Sequence, residues 1–178
     1  MLQKLGKTTV LISSLVFMSI MFVVVMFFVN PSIDGGTGSG VLDLQLSFKK
    51  NAGIEIINSW GTSGVDHFNL WIFTDYIYAF SYSLFFASLI SFLALKKGKG
   101  TFLTSIFFVS LAFFSGVLDF IENTMELSFI NNPYVFSNTL FFLHSVVALF
   151  KWTAVIFVVA YIVVLFTKKN GSITQKNV

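Results

Sequence analysis

The sequence predicts an all-α integral membrane protein, a bundle of four transmembrane helices with a small external cap between the first two spans. Of its 178 residues, 56% are hydrophobic and only 11% are charged, whereas soluble domains average about 25% charged residues. The mean hydropathy is +0.85. Four apolar stretches are long enough to cross a bilayer, which takes about 20 residues each, and lysines cluster at their ends. These observations predict a single membrane domain over residues 1–178.

The first span is predicted over residues 8–29, which carry no charge. This apolar run is longer than the core of a signal peptide and ends without a small-residue cleavage pattern, so we interpret it as an uncleaved anchor. Residues 30–67 then form the external loop. Its glycine-rich start, residues 35–40, predicts a disordered stretch.

The remainder of the loop carries two local patterns that predict the cap. Leucines and a phenylalanine alternate with polar residues over residues 42–49, which predicts an extended segment packed on the bundle. Beyond it, Asn51 is predicted as the N-cap of a short amphipathic helix that Gly61 stops. The apolar face of this helix, with its tryptophan at headgroup level, consists of Gly53, Ile56, Ile57 and Trp60.

Three further spans follow with short connections. They are predicted over residues 68–95, 101–130 and 135–166. A basic turn over residues 96–100 joins the second span to the third, and Asn-Asn-Pro over residues 131–133 is a turn signal between the third and the fourth.

The lysines predict how the chain is oriented. Those at the N-terminus, in the turn between the second and third spans, and in the C-terminal tail all fall on one side of the membrane. By the positive-inside rule, both termini are therefore cytoplasmic, and we expect a multi-pass protein of the cell membrane.

Charge and cysteine content exclude several function classes. The net charge of +3 comes from lysine clusters beside the spans, so no nucleic-acid partner is predicted. The chain has no cysteine, which excludes thiol redox chemistry and Cys-ligated metal sites. The predicted partner is the lipid bilayer, and a homo-oligomer or a second membrane protein stays open.

Carboxylates interrupt the apolar pattern of the third span. On a helix that turns about 100° per residue, Ser115, Asp119, Glu122 and Glu126 share one face. An acidic side chain at the centre of a bilayer costs about 2.5–3.5 kcal/mol on insertion scales, so such residues face protein or water and often mark functional sites. The second and fourth spans carry polar residues at similar depth. The predicted intramembrane cluster, near the external side, consists of Asp75, Tyr82, Asp119, Glu122, Asn123, His144 and Lys151.

Three interpretations of this cluster stay open. In the first, the protein is not an enzyme, and the cluster is structural or binds a ligand or partner. In the second, a membrane-embedded enzyme acts on a lipid or lipid-linked substrate, with Glu122 or His144 as general base and Lys151 stabilising negative charge. In the third, Asp119, Glu122 and His144 relay protons in a transporter, although the inner halves of the spans offer almost no polar residue to continue that path.

No cofactor is predicted. The residues leave open only the binding of a divalent metal ion. Carboxylates and imidazole suit Zn²⁺ or Mn²⁺. The candidate ligands are Asp75, Asp119, Glu122 and His144. No paired-histidine or H-E-x-x-H spacing supports them.

Short motifs in the last three spans resemble a known group of proteins. Asp75 with a tyrosine seven positions later, D-x-x-E-N ending at Asn123, and the pair Lys151-Trp152 look like those of small, largely uncharacterised bacterial four-span membrane proteins with D-x-x-E-N in the third helix and K-W in the fourth. The resemblance covers about residues 41–166 and implies the four-helix fold without an activity. The first span lacks the glutamate of small multidrug exporters, and the loops lack the cysteines of claudin-like and tetraspanin-like proteins.

Overall fold

The computed structural model describes residues 1–34 and 39–168. The stretch predicted to be disordered, residues 35–40, falls largely outside the described residues, as do the last lysines of the C-terminal tail. Every regular element in the described part is a helix. Four helices are long and apolar enough to cross a membrane, which confirms the predicted class: Thr8–Ile33, Lys50–Lys97, Phe102–Phe129 and Asn138–Thr167.

The first span is built from three consecutive helical pieces. The short α1 (Leu2–Leu5) precedes it, and α2 (Thr8–Val24), a π-helical turn (Val25–Val29) and α3 (Asn30–Asp34) follow one another without a break. The helix therefore runs beyond residue 29, where the apolar pattern ends. After it come α4 (Val41–Gln45), α5 (Lys50–Lys97), a 3₁₀ turn (Lys99–Thr101), α6 (Phe102–Phe129) and α7 (Asn138–Thr167).

Gly61 divides α5 into a helix of the cap and a spanning helix. Its φ of 65° lies in the left-handed region that residues with a Cβ avoid, so a glycine is needed at this bend. The helix before the bend begins at Lys50, not after Asn51, and it buries three of the four residues of the predicted apolar face. The side chain of Trp60 is buried, and its indole N–H donates to the carbonyl oxygen of Ser39 at 2.6 Å.

The prediction of an extended segment over residues 42–49 is wrong, because the first part of this stretch belongs to the helix α4. The carboxylate of Asp43 accepts the backbone N–H of Gly40 at 2.8 Å, and this capping interaction stabilises the first turn of a helix. Leu44 and Gln45, which are neighbours in sequence, are both buried, whereas Leu42 is 51% exposed. The buried residues therefore follow helical spacing and do not alternate, and α4 packs against α5 and α7.

Two apolar cores lie along the bundle with a polar layer between them. One core lies under the cap and includes Phe129 and Phe141, and we call this the loop end. The other includes Val109 and Val158 and lies toward the turns with the lysines, which we call the lysine end. Along α6 and α7, the residues between these cores include Asp119, Glu122, Glu126, His144 and Lys151.

Glycine allows the first span to approach α5 closely at the loop end. A Cβ added at Gly64 would lie 2.3 Å from the carbonyl oxygen of Ile33 and 2.7 Å from the Cβ of Trp60. At the same interface, Nδ1 of His67 donates to the carbonyl oxygen of Ser32 at 2.8 Å. Backbone therefore meets backbone here, as small residues permit in membrane bundles.

Replacing Gly64 by alanine should separate this interface. Because the added methyl group meets a backbone oxygen and not a flexible side chain, we expect Gly64→Ala to lower the free energy of unfolding by about 1–3 kcal/mol. Denaturation with SDS in mixed micelles measures it. The matched control is Gly100→Ala, whose Cβ meets nothing within 4 Å, and equal stability of the two variants would contradict the close approach.

Candidate intramembrane polar site

Lys151 lies at the centre of the polar layer. Its Nζ is 3.1 Å from Oδ1 of Asp119 and 2.6 Å from Oε2 of Glu122. The other oxygen of Asp119 accepts the hydroxyl of Tyr82 at 2.9 Å, and the same hydroxyl is 3.2 Å from the carbonyl oxygen of Ser115. One ammonium and one carboxylate thus connect α5, α6 and α7.

Two further contacts complete the network. Asn123 donates its amide to Oδ2 of Asp75 at 2.9 Å, which joins α6 to α5. Nε2 of His144 lies 3.1 Å from Oε1 of Glu126, which joins α7 to α6. The structure therefore brings the seven predicted cluster residues to one layer and adds Glu126 to them.

Helical spacing explains why α6 supplies so many of these groups. Asp119, Glu122 and Glu126 are spaced by three or four residues, and Asn123 lies four residues after Asp119 and three before Glu126, so all four lie on one broad face. Their exposed fractions are 4%, 0%, 0% and 0%, and the face is directed into the bundle and away from lipid. The i, i+4 spacing of Glu126 from Glu122 was a signal that could have included Glu126 in the cluster.

The layer holds more negative than positive groups. Its carboxylates are those of Asp75, Asp119, Glu122 and Glu126, and its ammonium is that of Lys151. With all four carboxylates ionised and a neutral imidazole, three negative charges have no counter-charge within the layer. An unpaired charge at such burial costs several kcal/mol. The layer must therefore acquire positive charge from protons, a cation or a cationic ligand.

Several buried polar atoms also lack a hydrogen-bond partner among the residues that the structure describes. They include Glu122 Oε1, Asn123 Oδ1, Glu126 Oε2 and His144 Nδ1. Glu122 Oε2 makes no hydrogen bond of regular geometry either, although it lies 2.6 Å from Nζ of Lys151. Buried polar atoms are usually paired. Together with the surplus charge, these atoms indicate that the layer has unused capacity to bind.

A cavity of about 380 Å³ opens beside the layer, between the first span, α5 and α7. Its volume is in the range of about 300–1,000 Å³ that small-molecule sites occupy. The walls are apolar side chains such as Met18, Val25 and Val29 of the first span and Ile72 of α5. Polar residues also line it: Asn30, Gln45, Asp75, Tyr78, Tyr82, Asp119, Glu126 and Lys151.

The predicted catalytic candidates differ in their access to this cavity. Lys151 lines it, whereas Glu122 and His144 are fully buried behind the lining. Gln45 lines it and accepts the indole N–H of Trp152 at 3.2 Å. Sequence reasoning missed Gln45, because the pattern around it predicted an extended segment and only the tertiary fold gives it a partner.

The predicted metal ligands do not assemble as one group. Within the described ranges, the histidine and acidic residues whose ligand atoms lie within 4.8 Å of one another are Glu122, Glu126 and His144. Asp75 and Asp119 lie outside this group and have the partners given above.

Comparisons with known proteins add no relative. No family model, no curated protein and no solved structure matches the chain. The geometry of the polar layer and of the cavity is therefore the basis for a functional proposal.

Removing the central ammonium should destabilise the bundle. We expect Lys151→Met to lower the free energy of unfolding by about 3–5 kcal/mol, because Asp119 and Glu122 lose their shared counter-charge in a buried site. The triple variant with Asp119→Asn and Glu122→Gln should recover part of this loss, since it removes the uncompensated carboxylates. SDS denaturation of the single and triple variants tests the pair of expectations, and a triple variant no more stable than Lys151→Met would refute them.

Proposed function

We propose that this membrane protein binds an amphipathic molecule in the cavity beside the polar layer. The observation that carries the proposal is the form of the cavity, which has apolar walls and a polar part with surplus carboxylates. The apolar part of the ligand lies along Val25 and Val29 of the first span. Its polar head meets the carboxylate of Asp75.

The surplus of carboxylates defines the chemistry of the head group. Asp75 is only partly buried, lines the cavity and has Asn123 as its donor, so it can accept another hydrogen bond. A cationic head supplies the missing positive charge, whereas an anionic head adds to the surplus. The proposed ligand is therefore an amphiphile with an amine head.

A purely structural role accounts for less of the geometry. It explains why Lys151 pairs with Asp119 and Glu122, since such pairs fix the register of neighbouring helices. It does not account for the open space of about 380 Å³ beside them, whose lining includes Asp75 and Glu126. Binding accounts for both the network and the space.

The second candidate is an enzyme that acts on a lipid or lipid-linked substrate. It is supported by Lys151 and Asp119, since an ammonium and a carboxylate would face the head group of a bound lipid. The full burial of Glu122 and His144 behind the lining favours binding over catalysis with either of them as base. Proton transport is favoured least, because the buried polar side chains toward the lysine end, such as Ser88, Ser91 and Ser105, carry hydroxyls and include no carboxylate, histidine or lysine in the described part of the chain.

The distribution of the lysines between the two ends of the bundle supports our proposal of a plasma-membrane protein with both termini in the cytoplasm. Lys4, Lys7 and Lys97 lie at the lysine end. The loop end carries Lys49 and Lys50 together with acidic residues. The positive-inside rule makes the lysine end cytoplasmic and directs the cap outward.

Cysteine labelling tests this orientation, because the unaltered chain has no cysteine of its own to react. In intact cells, a membrane-impermeant maleimide should label Asn132→Cys, which lies exposed at the turn between α6 and α7. Gly100→Cys, at the opposite end of α6, should react only after lysis. The reverse pattern would invert the proposed topology.

Fluorescence titration tests the proposed ligand, because Trp71 and Trp152 line the cavity. Dodecylamine with a brominated chain should quench tryptophan emission in detergent at lower concentration than the brominated carboxylic acid of the same length. Val25→Phe, which fills part of the cavity, should weaken amine binding by about tenfold or more, equivalent to about 1.4 kcal/mol. Analysis of the incubated amphiphile for reaction products tests the enzymatic alternative.

The matched control is Val23→Phe, since Val23 lies on the same helix, is 46% exposed and does not contribute to the cavity lining. This variant should bind dodecylamine as the unaltered protein does. Equal quenching in Val23→Phe and Val25→Phe, or equal affinity for amine and acid, would remove the proposal.

A further inference from the structure

We propose that Glu122, Glu126 and His144 form a binding site for a divalent metal ion behind the polar part of the cavity. The inference goes beyond amphiphile binding and does not depend on it, because the three residues form their own group. Each offers one ligand atom, and the three atoms lie within 4.8 Å of one another. All three residues are 0% exposed.

The spacing of the three residues suits chelation. Glu122 and Glu126 are one helical turn apart on α6, so their carboxylates are directed to the same side. His144 approaches them from α7. Zn²⁺ binds carboxylate oxygen and imidazole nitrogen at about 2.0–2.2 Å, which places tetrahedral ligand atoms about 3.3–3.6 Å apart. The observed separations of up to 4.8 Å are wider than this, so binding an ion would draw the three side chains together.

The carboxylates have oxygens free for an ion. Glu122 faces Lys151 through Oε2, and its Oε1 has no hydrogen-bond partner in the described part of the chain. Glu126 faces His144 through Oε1, and its Oε2 is likewise unpartnered there. Both atoms are buried. An ion held through these two oxygens would leave the contact between Lys151 and Glu122 in place.

Charge favours a divalent ion over a neutral occupant. A histidine that ligates metal is neutral, and the four carboxylates of the layer then exceed the single ammonium by three charges. A divalent ion neutralises two of them. Two carboxylates and one imidazole are ligands that suit Zn²⁺ or Mn²⁺, and Glu126 provides a route for the ion because it also lines the cavity.

Zinc binding to the full chain tests the proposal directly. Protein purified in detergent, treated with EDTA and desalted, is titrated with Zn²⁺ alone, and bound metal is counted by elemental mass spectrometry. We expect one ion per chain and a higher unfolding temperature with Zn²⁺. Glu126→Gln and His144→Gln should each weaken binding by more than the roughly 10–100-fold that loss of an outer-shell partner costs.

Two further variants separate a defined site from general attraction to negative charge. Asp75→Asn removes one carboxylate of the layer without removing a ligand, so Zn²⁺ affinity should fall far less than in Glu126→Gln. Glu55→Gln removes an exposed carboxylate of the cap and controls for surface binding. If Glu126→Gln does not fold, Glu122→Gln and His144→Gln provide the same comparison.

The unaltered protein decides the question even if every ligand variant misfolds. Zn²⁺ and Mn²⁺ are each titrated alone. If the protein retains neither ion, the proposal is overturned, and protons are left as the source of the missing charge. Equal loss of affinity in Asp75→Asn and Glu126→Gln would overturn it as well. Neither result bears on dodecylamine binding, so failure of the metal site and failure of the amphiphile site are distinguishable.

Discussion

The ammonium of Lys151 between Asp119 and Glu122 is the interaction on which the rest of the bundle depends. Charged groups in a membrane-spanning helix must face protein or water, so this contact sets which sides of α6 and α7 face one another. Tyr82 extends the same constraint to α5 through its hydrogen bond to Asp119. The two apolar cores then pack above and below a layer whose position the ions determine.

The cavity follows from how the first span packs. α5, α6 and α7 pack on one another, whereas the first span packs mainly on α5. Space therefore remains between the first span and α7, at the depth where the polar layer replaces apolar side chains. The π-helical turn Val25–Val29 and the helix α4 border this space. A ligand in this space would contact apolar side chains and carboxylates at the same time. An amphipathic ligand is proposed for that reason.

Composition and helical spacing were enough to predict the four spans and, apart from Glu126, the residues of the layer, because apolar length marks a span and charge is costly to bury in lipid. Tertiary detail was not accessible in the same way. The rotation of α7 about its axis decides that His144 meets Glu126 and that Glu122 meets Lys151, and only packing sets that rotation. The alternating pattern around Gln45 predicted an extended segment, whereas the structure has the helix α4, whose first turn is capped by Asp43 and Gly40. The place of Gln45 in the site was therefore not predicted.

The two proposed occupants are consistent with one another in charge. Four carboxylates and one ammonium leave three negative charges when His144 is neutral. A divalent ion at Glu122 and Glu126 neutralises two, and the amine of one amphiphile beside Asp75 neutralises the third. Glu126 belongs both to the metal group and to the cavity lining, so each occupant changes the field that the other meets. Because linkage is reciprocal, any effect of the metal on amphiphile affinity must equal the effect of the amphiphile on metal affinity.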